Sequence, residues 1–277
     1  MVHGVEGPLA RDGLRHGDRD VLVGVLEILA RYSAIVNDLP TASVPSSPRY
    51  PVVLFDLDNT LSDFTSAQTE AFPGLLAAHG VAEAESYLGA FKRLAEPLWK
   101  QIEAGTLTLD TLNDERFRLL IEHTDIDVDP SVLAAEYLGW LSKSGRLIPG
   151  AVELLQALHG TVRMGMITNG YAEVQRPRLE RFELAHYFES ITVSSEIGHA
   201  KPGQAFFDIA LGQLGNPDPA TVLVVGDSLS SDIAGGANAG CATCWYNPSG
   251  EPLPENAADI NHMVNDLAEL PNLIYGS

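Results

Sequence analysis

Cysteine is nearly absent from this chain: there are two in 277 residues, Cys241 and Cys244. Two thiols cannot build a disulfide framework, and no second Cys or His pair stands at metal-binding spacing from them. They read as small apolar fillers of a buried strand, and a reducing cytoplasm is the expected compartment. Positive charge is scarce as well, with 17 Lys and Arg against 37 Asp and Glu and a formal charge of −20. Such a chain repels polyphosphate backbones and anionic lipid, which argues against nucleic acid polymers and membranes as partners. Long apolar runs are also missing. The nearest candidate, VLVGVLEILARYSAIV at residues 21–36, carries Glu27 and Arg31 and falls short of the roughly 20 apolar residues a bilayer demands. The residues before it mix acids with arginines, unlike the basic leader of a signal peptide. This stretch reads as a short amphipathic helix, and the Pro- and Ser-rich residues 37–50 read as an extended linker. Residues 1–50 are therefore expected to form an appendage.

What is present is the composition of a folded globular protein, 45% hydrophobic and 19% charged, long enough for one large domain or two modest ones. The pattern changes at Pro51. Val52 to Phe55 is a short β-branched and apolar run of the kind buried on both faces of a sheet, and it breaks directly into acids. From Phe64 to about Gly145 the apolar spacing is helical throughout, with no convincing strand. Beyond it strands and helices alternate, with strands expected in VRMGMITNG, ESITVSSEIG, TVLVVGDS and CATCWYN. That alternation implies an α/β fold, a Rossmann-like doubly wound parallel sheet, with an all-helical insertion.

In such sheets ligands bind beyond the carboxyl ends of the strands. Asp56 and Asp58 end the first strand, Thr168 and Asn169 the next, Lys201 follows the third, and Asp227 ends the fourth. Converging carboxylates repel one another, and a hard divalent cation with oxygen ligands resolves the repulsion, Mg²⁺ being the best fit. A metal that keeps waters and accepts a phosphate oxygen suits phosphoryl transfer. Lys201 would act as a mobile point cation for the phosphoryl oxygens, and the Thr168 hydroxyl and Asn169 amide could donate to the same atoms.

The segments FDLDNT, ITNG, AKPG and GDSLSSD, in that order and each after an expected strand, resemble the four motifs of the haloacid dehalogenase superfamily of phosphotransferases. The resemblance covers residues 51 to about 250. It implies that Asp56 is the nucleophile that becomes an aspartyl phosphate and that Asp58 is the acid and base. It further implies a metal held by the Asp56 carboxylate, the Asp58 main-chain carbonyl and Asp227, with Asp232 a ligand candidate or, equally, a helix cap. On this reading residues 51–63 and 146–277 form the catalytic core and residues 64–145 a helical cap. The longer runs ITNGYAEVQRPRLERFELAHYF and GDSLSSDIAGGANAGCATCWYN are similar to bacterial pyrimidine nucleoside 5′-monophosphatases. They imply a Mg²⁺-dependent phosphomonoester hydrolase, a 5′-nucleotidase on (deoxy)pyrimidine monophosphates, with a small phosphomonoester as partner and a monomeric or homodimeric state.

Other readings stay open at this level: a phosphatase of a sugar phosphate, a phosphomutase, or a catalytically silent binding protein, the last opposed by the presence of every motif residue. A dehalogenase of the same superfamily lacks the second motif acid, so Asp58 argues against it. Arg176 and Arg178 are expected on the solvated face of a helix. Trp99 and Phe64 are expected to pack within the cap, Phe64 being close enough to the first motif to touch a ligand as well.

Overall fold

A computed structural model describes residues 47–254 and 260–276 of the chain. The amphipathic helix expected over residues 21–36 and most of the linker lie outside the described residues. Among the described residues eight strands are defined, β1 Val52–Asp56, β2 Ser62–Asp63, β3 Arg146–Leu147, β4 Arg163–Thr168, β5 Ser190–Val193, β6 Val222–Gly226, β7 Ala242–Tyr246 and β8 His262–Val264. Six form one sheet in the order β5-β4-β1-β6-β7-β8. Each neighbouring pair is parallel, with Val52 opposite Arg163 on one side and Val222 on the other. Sheet and flanking helices bear out the expected Rossmann-like α/β class.

Strand β1 is buried at all five positions, and its period of two divides it between two cores. Val53 and Phe55 join Met164, Met166, Leu223 and Val225 on one face, packed on Leu154, Leu155 and Leu158 of helix α5 (Ala151–Leu158) and on Leu270 and Ile274 of α9 (Leu270–Tyr275). Val52 and Leu54 join Val222 and Val224 on the other, against Phe206, Phe207 and Leu211 of α8 (Gln204–Gln213). Truncating a fully buried side chain such as Leu54 to Ala leaves a void on a covered face and costs about 2–5 kcal/mol. Tyr50 belongs to the core that holds Val53 and Phe55: its amide donates to the Ile274 carbonyl at 3.2 Å and its hydroxyl meets His262 at 2.8 Å. The folded sheet thus reaches back into the segment read as linker.

Between β2 and β3 the chain forms four helices, α1 Phe64–Ala78, α2 Leu88–Glu103, α3 Leu109–Glu122 and α4 Pro130–Lys143. They share a separate core centred on four rings. Phe72 stacks on Phe91 with centroids 4.2 Å apart, and Phe91 meets Phe117 at 5.2 Å and Tyr137 at 5.3 Å. The entry and exit strands pair antiparallel, Ser62 with Leu147 and Asp63 with Arg146. This ladder escapes a periodicity reading because two residues carry no period. Asp63 also caps α1 by accepting from the Ser66 amide at 2.8 Å, and Arg146 donates to its other oxygen at 2.9 Å.

Two further differences from the sequence expectation are local. The stretch expected as one strand over residues 189–198 stops at Val193, and Ser194–Ile197 is a helical turn, α7. The sheet also gains β8, in a segment for which no strand was expected.

Candidate active site

The carboxyl ends of β1, β4 and β6 meet at one cavity of about 200 Å³, whose wall includes Asp56, Asp58, Asn169, Lys201, Asp227 and Asp232. Asp56 is the last residue of β1, and the chain then turns tightly, with the Leu61 and Ser62 amides donating to the Leu57 carbonyl and Asn59 in the left-handed region at φ 61°. That turn returns Asp58 to the same rim. Asp227 follows β6, and the indole of Trp245 donates to its carbonyl at 2.9 Å. Gly226 precedes it, where a Cβ would lie 2.3 Å from the Asp232 carboxyl. Only glycine leaves space for that side chain.

Lys201 is 2% exposed and is not the mobile cation expected from its loop position. Its ammonium donates to Asp56 Oδ1 and Asp232 Oδ1, each at 2.6 Å, and to the Ile167 carbonyl at 3.2 Å. Burial alone would lower its pKa, but Asp232 and Asp56 outweigh that and hold it above the usual lysine value. Asp232 Oδ2 also accepts from the Ser228 amide at 3.1 Å, at the start of the helical turn that carries it. Carboxylate oxygens of Asp56, Asp227 and Asp232 all lie within 4.8 Å of one another. Burial raises the Asp56 pKa, Lys201 opposes it, and Asp232 and Asp227 add to the rise. Burial and the charge of Asp232 push Asp227 up to about 7. One ammonium does not balance three acids. Asp56 Oδ2 is buried and has no hydrogen-bond partner among the described residues, and a hard cation is the partner that fits an anionic oxygen in that setting.

Asp58 stands apart from this cluster because other residues hold its carboxylate. Its Oδ1 accepts from Arg178 Nη1 at 2.6 Å, and its Oδ2 from Gln175 Nε2 at 2.7 Å. Arg178 also donates to Gln175 Oε1 at 2.9 Å and to the Ser62 hydroxyl. Arg178, expected on a solvated face, is fully buried. Its helix α6 (Ala172–Arg181) turns it toward the acid, while Arg176 remains at the surface, paired with Glu196 at 2.8 Å.

Thr168 ends β4 and Asn169 follows it, and both side chains have partners within the protein. The Asn169 side chain is spent on the Lys201 main chain, donating to its carbonyl at 2.9 Å and accepting from its amide at 2.8 Å. Its amide group therefore positions the lysine loop. The Thr168 hydroxyl, wholly buried, accepts from Gln175 Nε2 at 2.9 Å.

Residues 50–240 match the family model described as haloacid dehalogenase-like hydrolase. The chain belongs to the haloacid dehalogenase-like hydrolases. Among members of this family, it is 38% identical over 225 residues to the pyrimidine 5′-nucleotidase YjjG of Escherichia coli, covering 80% of this chain and 96% of that one. It is 35% identical to the pyrimidine 5′-nucleotidase PynA of Streptococcus pneumoniae, covering 72% and 84%. The crystal structure of YfnB from Bacillus subtilis, determined bound to magnesium and revealing interdomain movement, superposes with a TM-score of 0.76 at 30% identity, covering 82% of this chain and 99% of that one.

In this family member the helical insertion forms the far wall of the cavity, contributing Phe64, Trp99, Glu103, Arg116 and Leu141, while Tyr171 and Val174 come from the sheet side. Trp99, expected as internal packing, thus reaches the site. Hydrogen bonds that join the parts include Tyr171 to the Leu109 carbonyl at 2.6 Å, Ser230 to Glu103 at 3.2 Å, and Arg181 to the Ser144 carbonyl. Burial raises the Glu103 pKa. No described helix is long and apolar enough to cross a membrane.

Proposed function

We propose that this hydrolase is a Mg²⁺-dependent phosphomonoesterase acting through an aspartyl phosphate, with (deoxy)pyrimidine nucleoside 5′-monophosphates as its substrates. The observation that carries the phosphatase reading is the pairing of a lysine-held carboxylate, Asp56, with a second carboxylate, Asp58, oriented independently by Arg178 and Gln175. The nucleotide part is supported by the two similar proteins named pyrimidine 5′-nucleotidases.

In the first displacement the Asp56 carboxylate attacks phosphorus, and the bond to the leaving oxygen breaks as protonated Asp58 donates its proton there. In the second, ionised Asp58 removes a proton from water. The water oxygen bonds to phosphorus, the bond to Asp56 breaks, and inorganic phosphate leaves with both acids restored. Lys201 holds Asp56 in position and lends its positive charge to the transferring oxygens. The Asp56 and Asp227 carboxylates, the Asp58 main-chain carbonyl and Asp232 are the groups that would hold Mg²⁺, which when bound supplies charge neutralisation for the phosphoryl group. The helical wall excludes water from the acyl phosphate and meets the leaving group.

The test is a phosphate-release assay with Mg²⁺ over dUMP, dTMP, UMP, AMP, GMP and several sugar phosphates under one set of conditions. The pyrimidine nucleotides are expected to show the highest kcat/KM. A sugar phosphate or purine nucleotide exceeding every pyrimidine tenfold, about 1.4 kcal/mol in transition-state binding, overturns the nucleotide assignment and leaves the phosphatase intact.

A further inference from the structure

Arg116 lies on α3 beside Arg118, and the two arginines have opposite surroundings. Arg118 is exposed and paired with Glu115 and Glu122. Arg116 is 3% exposed. Its guanidinium carbon sits 4.4 Å from the centroid of Tyr137, 5.5 Å from Phe117 and 5.6 Å from Phe91. Nη2 donates to Asn113 Oδ1, and Asn113 is itself fixed by donating to the Ala134 carbonyl at 2.8 Å. Nε is buried and has no partner among the described residues. The titratable groups that bear on this cation are the hydroxyls of Tyr137 and Tyr171, and no carboxylate is among them. Burial lowers its pKa, but a guanidinium begins so high that it stays charged. Yet the residue lines the same cavity as Asp56 and Lys201.

A buried cation without an anion is costly to fold, and the facing rings recover part of that cost. What the arrangement retains is a fixed set of N–H donors among aromatic rings, carried by the helical insertion and not by the strand ends that hold the acids. Donors held in that way favour a ligand oxygen that can accept and discriminate against a ligand that leaves them unmet.

We infer that Arg116 determines specificity at the leaving-group end of the cavity by taking a carbonyl or carboxylate oxygen carried by the alcohol part of the phosphomonoester. This rests on the phosphatase reading above. A pyrimidine base offers ring carbonyls, and a phosphorylated hydroxy acid offers a carboxylate.

The experiment compares two substrate pairs that differ in this oxygen, dUMP against 2-deoxyribose 5-phosphate and 3-phosphoglycerate against glycerol 3-phosphate. Full-length wild type, Arg116→Met and Arg116→Lys are assayed with Mg²⁺, and their melting temperatures are measured. Methionine fills the aromatic cage without a charge. It is expected to lower the kcat/KM ratio of one pair at least tenfold, with a melting temperature no lower than wild type, while lysine gives an intermediate ratio. A fall in the first pair identifies a carbonyl and a fall in the second a carboxylate. Both ratios unmoved within threefold, whether or not the variant melts earlier, overturns the inference, as does an equal loss on both members of each pair. If wild type releases phosphate from none of these esters the phosphatase reading fails first, whereas active wild type with unmoved ratios removes the inference alone.

Discussion

Replacing Arg178 with Met should damage this protein twice, once in stability and once in turnover. The guanidinium is fully buried and the Asp58 side chain is 19% exposed, with 2.6 Å between Nη1 and Oδ1. Breaking a buried pair by removing one partner costs about 3–5 kcal/mol, because a charge is left without compensation. Here the orphaned carboxylate can rehydrate through the cavity, so the lower end, about 3 kcal/mol, is expected. For a folded unit of this size each kcal/mol moves Tm by about 2–4 °C, giving a fall of about 6–12 °C. Asp58 keeps Gln175 on Oδ2 but loses its strongest donor on Oδ1, and misplacing a proton-transfer group by an ångström costs about 10²-fold in kcat. Thermal unfolding and steady-state kinetics of Arg178→Met, Asp58→Asn and the double variant measure both effects. The double variant should cost less than the sum of the singles by about 1–3 kcal/mol, since the two share one interaction. Additive costs within about 0.5 kcal/mol, or a single-variant Tm within 2 °C of wild type, would refute the coupling.

Asp56→Asn should fold and bind substrate yet turn over at less than a few per cent of the wild-type rate, which a phosphate-release assay checks directly. Chelation by EDTA should abolish activity and Mg²⁺ restore it; full activity in chelator would remove the metal from the reaction. Asp227 holds its proton up to about pH 7 in the folded metal-free protein against an ordinary value of 3.8. The folded state therefore binds more protons than the unfolded state between about pH 4 and 7, and the metal-free protein should lose stability as pH rises through that window, the raised pKa of Asp56 adding to the loss. Melting curves with and without Mg²⁺ should accordingly show a larger metal-induced rise at pH 8 than at pH 5. Gly226→Ala should displace Asp232, because the added Cβ would lie 2.3 Å from its carboxyl; the expected readouts are weaker Mg²⁺ binding by calorimetry and a loss of about 1–3 kcal/mol in stability.

The sheet and its acids were legible because both are written in short runs. A β-branched stretch ending in Asp56 states its structure and its chemistry within five residues, and the same is true at Asp227. The arginines were not legible. Arg178 lies in EVQRPRLERF, where its neighbours are polar and a solvated face is the natural reading. Its burial comes from Asp58 and Ser62, more than a hundred residues earlier. Arg116 is hidden in the same way, because the rings that enclose it arrive from other helices of the insertion. Asn169 shows a subtler limit: its place at the strand end was readable, but its attachment to the Lys201 main chain depends on a loop whose path no local pattern encodes.

The two-residue ladder between β2 and β3 has a consequence for how this protein can change over time. Because Ser62–Asp63 and Arg146–Leu147 pair with each other in the folded protein, the two ends of the whole helical insertion lie side by side. To the sheet, the insertion is a long closed loop, and lengthening or shortening such a loop alters its closure entropy only logarithmically. Any segment that begins and ends on that ladder could stand in its place without disturbing the pairing of β1 with β4 and β6. The acids at the strand ends and the wall that faces the leaving group are therefore free to diverge at different rates, so that a lineage can alter what it cleaves while keeping how it cleaves.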